Sequence, residues 1–130
     1  MLFAVFGLSA AYADVLINEV MYDPSTGSDS ENEWVELCNN GLDDVDVSGW
    51  ILETAGTSWS ESWTFPEGTS VPAGGYLLFG PGAGGDEFSP NLQNGGSATD
   101  GLRLIDTTEK VVDTLLYDEG NTNGLQDDQG

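Results

Sequence analysis

The sequence predicts an all-β protein built as a sandwich of short strands, and three observations carry that reading. Two runs near the start alternate apolar and polar residues with the two-residue period of a strand. Eighteen glycines and five prolines punctuate several short β-branched or aromatic runs. No stretch sustains the 3.6-residue period of an amphipathic helix. A chain of 130 residues fits one domain, large enough to bury a core without disulfides or a metal.

In the first run, Val15, Ile17 and Met21 are expected on one face of a strand and Leu16, Val20 and Tyr22 on the other. Asn18 and Glu19 each interrupt one of these faces. In the second run, Val35 and Leu37 alternate with Trp34, Glu36 and Cys38, which predicts one core face and one mixed outer face. Cys38 is the sole cysteine, so no internal disulfide can form, and it falls on the face opposite Val35 and Leu37. It reads as a semi-buried thiol or as an exposed one able to cross-link two chains. Further along, Phe65, Tyr76, Phe79 and a Trp50 placed directly after Gly49 are the expected core anchors.

The phrases themselves come in a recognisable order. Ile17-Asn18-Glu19 is followed by Glu33-Trp34-Val35-Glu36-Leu37-Cys38-Asn39, then Asp46-Val47-Ser48-Gly49-Trp50, then a proline and glycine turn leading to Gly74-Gly75-Tyr76, and last Leu102-Arg103-Leu104-Ile105-Asp106 and residues 111–117. Each is weak alone. As an ordered set over residues 15–118 they resemble the lamin-tail domain family in its bacterial secreted form. The resemblance implies an immunoglobulin-like β-sandwich that serves as an interaction or attachment module, often beside catalytic domains in larger secreted proteins.

Residues 1–13 carry no charge, are rich in Leu, Phe, Val and Ala, and end in the small-x-small pattern Ala11-Tyr12-Ala13. They read as a secretory leader cut before Asp14, which makes the protein secreted or displayed at a cell surface. The usual Lys or Arg at the start is missing, so either the true start lies upstream or Met1 is internal. The run is too short to span a bilayer. Residues 14–118 are then the domain and residues 119–130 a flexible tail or the start of a linker.

Charge narrows the choice of partners. Twenty-three acidic residues face two basic ones, Arg103 and Lys110, for a formal net charge of −21. Such a surface repels phosphate backbones and anionic bilayers, which disfavours nucleic acid and membrane partners. Two accounts of the acids remain open: solubility in a saline environment, or binding of divalent cations. For calcium, the loop of residues 23–33 offers Asp23, Asp29, Glu31 and Glu33 among small hydroxyl side chains, although such loops also form simply because they turn and solvate well. Glu19 and Glu36 are a second candidate pair, which adjacent strands would bring close together, unless both serve as solvated charges guarding strand edges. The tail has an Asn121-x-Asn123-Gly124 core like that of a calcium loop, but Glu119 and Gly130 stand where the pattern needs Asp and Glu.

Catalysis finds little support. The chain has no histidine, which removes Ser-His-Asp and Cys-His arrangements and histidine-ligated zinc. No glycine-rich phosphate loop with its lysine is present. The expected function is a non-catalytic extracellular interaction or attachment module of a larger secreted or surface protein. It requires no cofactor, with calcium as the one candidate ion, and its partner is a protein or a surface polymer. The alternative is a carbohydrate-binding module, calcium-assisted or not, in which Trp59 and Trp63 stack on sugar rings. Against this, Trp63 can pack inward with Phe65 while Trp59 covers a loop.

Overall fold

A computed structural model describes residues 14–96, 98–118 and 120–126. The leader expected at residues 1–13 lies outside the described residues, as does the end of the tail at 127–130. The elements run β1 (Val15–Met21), α1 (Asp29–Asn32), β2 (Trp34–Asn39), β3 (Val45–Asp46), β4 (Ile51–Ala55), β5 (Trp59–Thr64), β6 (Ser70–Val71), β7 (Tyr76–Phe79), a 3-10 turn (Pro81–Ala83), β8 (Thr99–Ile105) and β9 (Val111–Asp118). Two antiparallel sheets, β1-β2-β7 and β5-β4-β8-β9, form the sandwich, and a short β3-β6 ladder lies beside them. The all-β, immunoglobulin-like expectation holds.

The one-turn helix α1 was not legible in the sequence. It sits inside the acidic loop of residues 23–33, where Asn32 Nδ2 donates to Ser28 O at 2.8 Å and Glu33 N to Asp29 O at 3.0 Å.

Both long β-ribbons carry a bulge that changes which side chains face inward. In β1, Ile17 lies opposite Leu37 and Glu19 opposite Glu36, so Asn18 is an extra residue. A one-residue insertion flips every later side chain to the other face. The simple alternation expected for β1 is therefore corrected: Val15, Ile17 and Val20 share the inner rows, and Leu16, Glu19 and Met21 the outer ones. In β5, Trp63 lies opposite Leu52 and Glu61 opposite Glu53, so Ser62 is the extra residue. Trp59 and Trp63, four residues apart, would share a face of a regular strand, and this insertion separates them.

The core lies between the inner faces. Val15, Ile17, Val35, Leu37 and Phe79 meet Leu52, Leu102, Leu104 and Val112, and Val47, Phe65, Val71, Phe88 and Leu92 belong to the same cluster. Phe79 packs edge-on against Phe65 and Phe88, with ring centroids 4.7 and 5.9 Å apart. Such pairs add about 0.5–1.5 kcal/mol each beyond the area they bury. Gly80, at φ 106°, lies so close to Phe88 that an added Cβ would meet the ring at 2.6 Å. The sheets are laced together where Asp113 of β9 accepts from Ile17 N of β1 at 2.7 Å. The free edge of β5 is covered at its bulge: Ser89 N donates to Ser62 O and Ser62 Oγ to Pro90 O.

The expected tail is attached over part of its length. Asn123 donates to the carbonyls of Gly56 and Thr99, Asn121 closes a turn with Leu125, and Leu125 is buried.

Candidate functional site

The Asn18 bulge builds the outer face of the three-stranded sheet in rows. Leu16, Cys38 and Tyr76 form one, Glu19, Glu36 and Leu78 the next, and Met21 and Trp34 the third. Rows two residues apart along a strand are about 6.5–7 Å apart, and neighbouring strands about 4.8 Å. Three of the four exposed large hydrophobics among the described residues stand here: Tyr76 at 61 %, Leu78 at 49 % and Met21 at 36 % exposure. Cys38 shares this outer face, as expected, yet is buried between its row neighbours.

Glu19 and Glu36 do come together, directly opposite each other. Asn18, freed from the ladder by the bulge, donates from Nδ2 to Glu36 Oε1 at 2.7 Å. Neither basic side chain, Arg103 or Lys110, is on this sheet. Arg103 of β8 pairs with Glu53 on the other sheet, and Lys110 is in the β8–β9 turn beside Asp106.

The four loop acids part company. Asp23 and Glu31 are exposed. Glu33, unlike these two, is fully buried. Its Oε2 accepts from Leu92 N at 3.1 Å, while Oε1 has no partner among the described residues. Burial, with the nearby Asp29 as a lesser cause, pushes its pKa from 4.5 to about 7 despite the Leu92 hydrogen bond. Asp29 accepts from Asn94 Nδ2 at 2.9 Å, and the same amide reaches Tyr22 O. Among the described residues no three His, Cys, Asp or Glu side chains are grouped to hold a metal ion.

A second acid, Asp100, lies within β8 and is not marked by any sequence signal, since a carboxylate is expected in water. It is buried, and desolvation together with the Asp118 charge raises its pKa. Burial also raises that of Tyr117, whose ring stacks on Tyr22 at 4.3 Å and whose hydroxyl donates to Gln93 O. With Thr54 Oγ1 accepting from Gln93 N, these groups hold the backbone of residues 92–95.

The two tryptophans face opposite ways. Trp63 is partly buried against the core, with ring centroids 5.8 Å from Phe79 and 5.6 Å from Phe88, so it does not join Trp59 in a sugar-stacking pair. Trp59 lies on the outer face of the four-stranded sheet, where the Arg103 guanidinium sits 4.5 Å from its ring centroid. Its indole covers Gly101, whose missing side chain leaves the room. At the β4–β5 turn a cavity of about 190 Å³ is lined by Thr54, Gly56, Thr57, Ser58, Ser60, Pro90 and Gln93.

Among the described residues no helix is long and apolar enough to cross a membrane. No curated protein matches the chain. The Lamin Tail Domain family does, over residues 9–119, and with most of its length inside that match the chain belongs to this family.

Proposed function

We propose that the chain is a non-catalytic interaction module of an extracellular or surface protein, and that the outer face of its three-stranded sheet is the contact surface. An immunoglobulin-like domain of this family is consistent with an interaction role. The observation that carries the choice of surface is the gathering of Tyr76, Leu78 and Met21 on one face. In a chain this acidic, an exposed apolar patch is the place where water is most readily exchanged for a partner. The uncharged run of residues 1–13, ending in Ala11-Tyr12-Ala13, supports an extracellular setting.

A second reading is glycan binding around Trp59, supported by the hydroxyl- and amide-lined cavity at the β4–β5 turn. Trp63 has no part in it. One experiment separates the two: retention of the fluorescently labelled chain on the surface of the producing cells. Tyr76→Ser with Leu78→Ser is expected to abolish retention and Trp59→Ala to leave it intact. The reverse pattern would favour the glycan.

A further inference from the structure

We propose that Glu19 and Glu36 together receive one Lys or Arg side chain of an extended polypeptide partner, an inference that rests on this face being the contact surface. The pair breaks a local rule. Like charges directly opposite on neighbouring strands destabilise a sheet, and here the bulge at Asn18 is what creates the opposition, since unbroken alternation would leave Glu19 on the side of Ile17. Neither Arg103 nor Lys110 compensates it, because Arg103 is engaged with Glu53 and Trp59 on the other sheet and Lys110 lies beside Asp106. Asn18 steadies Glu36 through one oxygen. An ammonium or guanidinium placed between the two carboxylates would turn repulsion into a shared, charge-assisted hydrogen-bonded contact.

The surroundings define the rest of the ligand. Leu78 completes the row of the two glutamates, so the aliphatic stem of the incoming side chain lies on it. The rows on either side are apolar: Met21 with Trp34, and Leu16 with Cys38 and Tyr76. Their spacing matches that of residues i, i+2 and i+4 of an extended chain. The face therefore fits the pattern apolar-x-Lys/Arg-x-apolar. Electrostatic complementarity with a chain of net charge −21 favours the same sign of partner.

Selection of a displayed random-peptide library on the immobilised full chain tests this. Peptides with that pattern are expected to be enriched, and Glu19→Gln with Glu36→Gln to weaken them about tenfold or more. Glu67→Gln with Glu87→Gln, which removes the same charge from exposed sites elsewhere, is expected to change little. Enriched peptides without a basic residue, equal losses in the two double variants, or no enrichment would overturn the proposal. Peptides lost with Tyr76→Ser and Leu78→Ser but kept by the glutamine pair would sink the cation receptor and leave the contact surface standing. Peptides indifferent to all of these changes would sink both. Melting of the glutamine pair supplies an independent check, with a midpoint raised by about 1–4 °C expected. A lowered midpoint, or a calcium-induced rise in the parent that the glutamine pair abolishes, would make the pair a structural or metal site and overturn the proposal.

Discussion

Glu19 stands directly opposite Glu36 on the outer face of the three-stranded sheet, with Asn18 bonded to Glu36 beside them. The free protein thus carries a small electrostatic cost on the face proposed for contact. Replacing both glutamates by glutamine is expected to stabilise the chain by about 0.2–1 kcal/mol. The gain should shrink as salt screens the pair in the parent. Thermal melts at low and high ionic strength check both parts.

Glu33 makes stability depend on pH in the opposite sense to an ordinary salt-bridged acid. Its folded pKa of about 7 exceeds the ordinary 4.5, so between these values the folded chain keeps a proton that the unfolded chain releases. Stability from this group is full below pH 4.5, falls as pH rises to about 7, and is level above; the loss is on the order of 3 kcal/mol. Glu33→Gln keeps an acceptor for Leu92 N and removes the titration. Denaturant melts from pH 4 to 8 should show the variant gaining on the parent as pH rises, with the difference constant above about pH 7.5.

Gly80 combines φ 106° with a ring 2.6 Å from where a Cβ would stand. Gly80→Ala is expected to cost about 2–3 kcal/mol, because backbone strain and displacement of Phe88 add together. Denaturant midpoints measure this, and the neighbouring Gly84→Ala offers a comparison with φ 81° but open space.

Cys38 faces outward and yet is only 8 % exposed, lying between Leu16 and Tyr76 in its row. Its labelling by a thiol reagent in the native protein should be slow, and Tyr76→Ala should speed it by roughly an order of magnitude by opening the row. An unchanged rate would mean that Tyr76 does not shield the thiol.

The strands, the sandwich and the family were legible in the sequence because apolar alternation and turn residues report on burial and chain reversal locally. The bulges at Asn18 and Ser62 were not, since an inserted residue leaves the composition of a strand unchanged and shows only in its partner's register. That one gap sent Met21 to the wrong face of β1 and allowed Trp63 to be placed beside Trp59. The approach of Glu19 to Glu36 was readable because both lie inside strands that the order of motifs makes neighbours. Glu33 and Asp100 were opaque for another reason: a carboxylate is expected in water, and only the folded chain shows the loop of residues 92–95 closing over them. Tyr76, expected as a core anchor, is exposed instead, because the alternation of β7 admits either face and its pairing with β2 decides which.

The most direct test of the contact surface is photo-cross-linking on the producing cells and in their medium, with a photo-reactive residue replacing Tyr76 in one sample and Glu61, exposed on the other sheet, in a second. If this face makes the contact, a discrete adduct forms from position 76 and vanishes when Leu78 is changed to Ser, and none forms from position 61. Adducts of equal yield from both positions, or from position 61 alone, would contradict it.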